Sequence, residues 1–174
     1  MHVVNEAPHH ADLIEDLLEV AFGPDRHQKT VYRLREGVAA IPGLSLVAET
    51  EDGEFRGTLR FWPVHIRTAT GKMEKILLLG PIAVESGLRN TGVGTLLMTE
   101  GLARAKAMGW DAVLLVGDEP YYSRFGFKRS LAEGLQLPGP VDVNRFLGLE
   151  LKDGVLNSVS GMVEPAVPAY GASV

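Results

Sequence analysis

The sequence predicts an α/β fold, and three observations carry that expectation. Ile76 to Val84 is apolar at nearly every position, the pattern of a strand covered on both faces. A glycine-punctuated turn, Gly87 to Gly94, follows it and opens into a helix running to about Met108. Ala112 to Val116 is a second short apolar run of strand character. A strand, helix, strand unit of this kind sets its two strands parallel, joined by a right-handed crossover.

The flanking elements follow from periodicity. A short strand at Val3 to Asn5 precedes an amphipathic helix in which Ile14, Leu17, Leu18, Ala21 and Phe22 recur at helical spacing, and Gly23-Pro24 ends it. A second helix is expected over Arg26 to Glu36, with Val31 and Leu34 turned to the core and Arg33 and Arg35 to water. Leu44 to Glu49 and Phe55 to Ile66 flank Glu51-Asp52-Gly53 as an antiparallel hairpin. Within Ile76 to Val84, Gly80-Pro81 predicts a bulge or lost pairing, because proline has no ladder donor. On the long helix, Val93, Leu96, Leu97, Ala103 and Ala107 are expected on the buried face, Glu100 and Arg104 stand at ion-pair spacing, and Gly109 stops the chain. Strands are expected again at Phe127 to Arg129 and Arg145 to Leu151, separated by a Gly- and Pro-rich connection from Gly134 to Pro140. The last ten residues are expected to be loose.

Composition narrows the function. The 174 residues suit one domain, residues 1–174, with no linker-like tract dividing them. A formal charge of −5 supplies no general positive field for a nucleic-acid backbone and mildly favours a cationic ligand. Cysteine is absent, so a disulfide framework, a thiolate metal site and a cysteine nucleophile are all excluded. No secretory signal is legible near Met1, and the longest apolar stretch is about half a membrane span, so a cytoplasmic protein without membrane association is expected.

The segment richest in chemistry is Val84-Glu85-Ser86-Gly87-Leu88-Arg89-Asn90-Thr91-Gly92-Val93-Gly94. Amide hydrogens at a helix start lack partners, and glycine lets an anion approach the backbone, so a pyrophosphate suits this turn. A plain glycine turn closing a strand-helix corner explains the same letters. A dinucleotide fingerprint would need glycine at Leu97, and a nucleoside-triphosphate loop would need Lys then Ser or Thr after the last glycine; the sequence has neither.

Arg89-x-x-Gly92-x-Gly94 after Ile82-Ala83-Val84, preceded by Leu79-Gly80-Pro81 and followed by Tyr122-x-x-x-Gly126-Phe127, resembles the GCN5-related N-acetyltransferase (GNAT) superfamily. The resemblance implies a mixed sheet, flanked by helices, whose two central parallel strands splay apart, here after Gly80-Pro81. It further implies acetyl-CoA as co-substrate without a metal. Ile82 and Val84, with Ala83 between them, would pair with the pantetheine arm like an added strand. Amides from Arg89, Asn90, Thr91, Gly92, Val93 and Gly94 would hold the pyrophosphate.

By the same resemblance Tyr122 lies near the departing sulfur, whereas Tyr121 reads as packing. Two positions depart from the family pattern: Leu115 stands where many members carry Asn, and Ser86 where proline is frequent. The implied reaction is direct transfer of the acetyl group to a primary amine, small molecule or protein, with the carbonyl polarised by a backbone amide such as that of Val84. Glu85, Asp118, Glu119 and His65 have the residue types of a general base, and residue type assigns none of them. The alternative is an acyl-CoA-binding sensor or assembly module without useful turnover. Exposed tail strands would also allow a homodimer by edge pairing.

Overall fold

The computed structural model describes residues 1–88 and 90–166. Its centre is a mixed sheet of eight strands: β1 (His2–Asn5), β2 (Ser45–Glu49), β3 (Phe55–Thr68), β4 (Gly71–Val84), β5 (Ala112–Val116), β6 (Leu135–Gln136), β7 (Phe146–Glu150) and β8 (Gly161–Pro165). The main path runs β1-β2-β3-β4-β5-β7, and β8 joins the outer half of β3 and pairs with β6. β4 and β5 are parallel, as the strand, helix, strand reading requires, and β5 and β7 are antiparallel.

Alternation along β4 divides the core in two. Leu77 and Leu79 pack with Phe61, Val113, Leu97 and Met98 on one face, while Ile76 and Leu78 pack with Val64, Ile66, Leu114 and Phe146 on the other. Each such buried aliphatic or aromatic side chain stabilises the fold by about 1.5–3 kcal/mol relative to exposure.

The long helix α3 (Val93–Ala107) covers the first face, but its buried stripe is Val93, Leu97, Met98, Gly101 and Ala105. Ala103 and Ala107, expected inward, are exposed. Their place is taken by Gly101, where a Cβ would stand 2.8 Å from Phe61 Cε1 and 2.9 Å from Leu59 Cδ2. The helix approaches the sheet too closely there for a larger residue. Glu100 and Arg104 form the expected pair, with Oε1 accepting from Nε at 3.1 Å.

Four expectations for the periphery are corrected. The second helix is broken: a 3-10 turn covers Pro24–Gln28, Lys29 is extended, and the α-helical turn α2 is only Thr30–Arg33. Arg26 explains the break, because it turns inward to donate to Glu19 at 2.6 Å and Glu15 at 2.8 Å on the first helix, α1 (Ala11–Phe22). The break does not disturb Leu34, which is buried, but Arg35 lies against β4 rather than in water. Phe22, expected with the core face of α1, is exposed. The strand expected at Phe127 to Arg129 reduces to one bridge between Lys128 and Gly148, after which Arg129–Ala132 forms a 3-10 turn. Of the last ten residues, Pro165 ends β8, and residues 167–174 lie outside the described ones.

Candidate acyl-transfer site

The site begins at the β4 bulge. Leu59 pairs with Ile82 and Phe61 with Leu79, so Arg60 on β3 faces two residues, Gly80 and Pro81, on β4. Gly80 has φ of 130°, a value that disfavours any side chain, and its carbonyl accepts from Trp62 Nε1 at 2.8 Å. Parallel pairing with β5 covers Ile76 to Leu78 and stops there. The two strands therefore separate just ahead of Gly80-Pro81, slightly earlier than the sequence suggests.

Past that point one edge of β4 is unpaired among the described residues, and the backbone phase says which residues face it. Glu85 N donates to Arg56 O on the β3 side at 3.0 Å. Successive residues of a strand point their polar groups to alternate sides, so Ala83 also turns toward β3 and Ile82 and Val84 turn toward the opening. Ala83 is buried and the other two are half-buried.

The chain then makes a 3-10 turn at Ser86–Leu88, and Asn90 and Gly92 both adopt left-handed conformations, with φ of 65° and 93°. Thr91 Oγ1 donates to Leu88 O, tightening the turn. Gly92 is the N-cap of α3, and no side chain among the described residues caps the helix. This leaves the first amides of α3, those of Val93 and Gly94 among them, directed out of its N-terminus at the positive end of the helix dipole. A Cβ on Gly92 would meet nothing within 4 Å, whereas one on Gly94 would stand 2.9 Å from Tyr121 Oη. Arg89 lies outside the described residues.

Beside the open edge is a cavity of about 890 Å³. β4 contributes Leu79 to Ile82 and β5 contributes Leu115 and Val116. The rest comes from Phe22 and the segment after α1, from Gly117, Asp118 and the turn α4 (Glu119–Tyr122), and from Pro140 to Asp142 with Arg145. The segment that follows α1 and the Gly- and Pro-rich connection after Gly134 meet here, joined by a bond from Thr30 Oγ1 to Pro140 O of 2.7 Å. Lys29, Tyr32, Arg35, Asp142 and Arg145 thereby enter the site. No local spacing announces them, because only the fold brings them together.

Tyr122 lines this cavity between two aromatic rings, edge-on to Tyr121 at 4.9 Å and to Phe127 at 6.1 Å between centroids. Gly117 sets its position: a Cβ there would run into the Tyr122 ring. Burial pushes the hydroxyl up to about 12, helped by Tyr121 and Asp118 and opposed by Arg145, so it is a protonated donor at neutral pH. Tyr121, expected to be packing alone, also lines the cavity, with its hydroxyl at the start of α3 and its ring 5.0 Å from the Arg124 guanidinium.

Of the four base candidates, Asp118 alone lines the cavity. His65 Nε2 is engaged with Glu164 Oε1 at 2.9 Å across β3 and β8. Glu119 Oε2 accepts from Arg129 N at 3.0 Å, and Glu85 lies 3.6 Å from Arg56. No helix among the described residues is long and apolar enough to cross a membrane.

Comparison with known proteins agrees with this architecture. Residues 7–130 match the family described as acetyltransferase (GNAT) domain. The chain is 34% identical over 159 residues to the uncharacterized N-acetyltransferase YhbS of Escherichia coli (strain K12), covering 91% of this chain and 92% of that protein. It is 33% identical over 132 residues to the uncharacterized N-acetyltransferase YjhQ of the same organism, covering 72% and 71%. Among solved structures, YhbS from Escherichia coli in complex with CoA superposes with a TM-score of 0.77 at 33% identity over 94% of this chain and 88% of that one. A GNAT family acetyltransferase from Brucella melitensis in complex with acetyl-CoA gives a TM-score of 0.68 at 32% identity over 94% of both chains. With the splayed strands, the uncapped helix start and the family match all falling on the same segments, the chain belongs to the GNAT family of N-acetyltransferases.

Proposed function

We propose that the chain acts as one N-acetyltransferase unit, in the cytoplasm where acetyl-CoA is available, and transfers the acetyl group directly to a primary amine held in the cavity. The observation carrying this reading is the adjacency of three features: the open β4 edge, of which Ile82 lines the cavity, the amides at the start of α3, where the Tyr121 hydroxyl stands over Gly94, and the cavity itself, lined by both Tyr121 and Tyr122. An extended arm added to the β4 edge would lead from the helix start, where the pyrophosphate is held by amides of Asn90 to Gly94 with Arg89 as a charged partner, to the cavity.

In the reaction, the neutral amine attacks the thioester carbon. The new N–C bond forms as the carbonyl electrons move to oxygen, which a backbone amide at Ile82 or Val84 would stabilise. Collapse breaks the C–S bond, and Tyr122, protonated at neutral pH, donates to the sulfur. The proton on the attacking nitrogen leaves through Asp118, directly or by way of water, and passes through water to Tyr122, which restores both groups, since each lines the cavity. CoA titration combined with thiol release over a panel of amines tests the proposal. Binding with acceptor-dependent release is the expected result, and binding without release for every amine would instead mark a CoA-binding module.

A further inference from the structure

Arg35 is the group in this cavity whose chemistry is unaccounted for. Its guanidinium lies against the β4 bulge, with Nη2 2.9 Å from where a Cβ on Gly80 would stand, so the glycine leaves the space that the charge occupies. Nε and Nη1 are buried and have no hydrogen-bond partner among the described residues, and the same holds for the hydroxyl of Tyr32. The Tyr32 ring supports the guanidinium from one side at 4.3 Å. Arg26 shows what a buried guanidinium of this fold looks like when its role is structural: Nε has no partner, but Nη1 and Nη2 are held by Glu19 and Glu15, which balance the charge. No carboxylate among the described residues pairs with Arg35, and buried donors are ordinarily satisfied. Both Arg35 and Tyr32 line the cavity.

We propose that the acceptor amine carries a carboxylate, and that Arg35, with Tyr32 beside it, binds that carboxylate. The inference rests on the cavity being the acceptor pocket. A guanidinium is a planar fork that matches the two oxygens of a carboxylate, and the neighbouring hydroxyl adds a donor. The charged residues around the cavity fit the same ligand. Lys29, Arg35 and Arg145 outnumber Asp118 and Asp142, so the local balance is positive although the chain is acidic overall. The carboxylate goes to the Arg35 wall, and the ammonium of the same molecule has Asp118 within the same cavity. Net charge mildly favours a cationic ligand, and the charges of the cavity itself favour a zwitterion.

The test is calorimetric titration of the CoA-loaded protein with acid and amide pairs: glycine and glycinamide, β-alanine and its amide, 4-aminobutyrate and its amide, L-glutamate and L-glutamine. The expected result is that at least one acid binds more tightly than its amide. In Arg35→Gln that acid should weaken about 10- to 100-fold while its amide and CoA are unaffected. Arg35→Lys, which keeps charge without the fork, should fall between, and Tyr32→Phe should cost the acid a smaller factor. Equal binding of every acid and amide in the wild type overturns the proposal, leaving water as the partner of Arg35. So does loss of CoA affinity in a folded Arg35→Gln, which would assign the guanidinium to the cofactor. Because binding is read without turnover, absence of acetyl transfer contradicts the proposed reaction and leaves the carboxylate assignment to stand or fall on the titration.

Discussion

The Tyr121 hydroxyl stands over Gly94 at the first turn of α3, 2.9 Å from where a Cβ on that glycine would be. A methyl group there must push Tyr121 aside and with it the aromatic wall facing the helix amides. Gly94→Ala is therefore expected to weaken CoA binding several-fold with little change in melting temperature. Tyr121→Phe, which removes a hydroxyl beside the pyrophosphate position, should also weaken CoA, by about 1 kcal/mol. Calorimetric titration of both variants decides; wild-type affinity in Tyr121→Phe would return this residue to packing alone.

Tyr122→Phe keeps the ring that packs on Phe127 and removes the proton donor. Turnover should fall about 10- to 100-fold, the lower part of the range for a general acid, because a thiolate leaves readily unaided. CoA affinity should hold. With the hydroxyl raised to about 12, no loss of this acid is expected in the rate profile below about pH 10. Folded Tyr122 keeps its proton longer than the unfolded residue, so its contribution to stability is lost as pH rises from about 10 to about 12. A turnover number in Tyr122→Phe equal to wild type removes it from the mechanism.

Gly117 constrains the same side chain from beneath. Gly117→Ala should displace the Tyr122 ring and reduce turnover at least as much as Tyr122→Phe, with CoA affinity preserved because α3 is untouched. Loss of CoA binding in a folded Gly117→Ala would show that the two regions of the site are not separable.

Arg35 carries a stability cost. Burial lowers its guanidinium from its ordinary value to about 10, against a partial gain from Tyr32. At neutral pH the group is charged in both folded and unfolded chains, and the folded chain bears the cost; that cost is relieved only as pH rises above about 10 toward the ordinary arginine value. Arg35→Met removes the charge and also the stacking on Tyr32. It is expected to raise stability at pH 7 by on the order of 1–2 kcal/mol, measured by denaturant unfolding. A loss of more than about 1 kcal/mol would make Arg35 a structural residue.

The features of this site legible in the sequence are those where local chemistry dictates local shape. Gly92 and Gly94 announce a turn that an anion can approach, Gly80 and Pro81 announce a bulged or interrupted ladder, and the apolar run from Ile76 announces a covered strand. The remainder depends on contacts distant in sequence. A continuous helix from Arg26 would turn Arg35 to water, whereas the pairing of Arg26 with Glu15 and Glu19 and the extended Lys29 reset the helical phase. The inward face of α3 shifts to Gly101 because the close approach of Phe61 and Leu59, rather than apolarity, selects that position. β8, which pairs with β3 and β6, carries too little periodicity to be recognised, and its strand state is set by those partners.

The most direct measurement is calorimetric titration of CoA into the wild type, Gly92→Ala and Gly92→Asp, with melting temperatures recorded for each. Gly92 has φ of 93°, so both substitutions share the backbone strain, and only aspartate adds a negative charge in the open space at the helix start. If the amides at the start of α3 hold the pyrophosphate, CoA binds tightly to the wild type, more weakly to Gly92→Ala and not at all to Gly92→Asp, although Gly92→Asp, with a carboxylate at the N-cap, is at least as stable as Gly92→Ala. A folded Gly92→Asp that binds CoA as the wild type does would contradict that assignment.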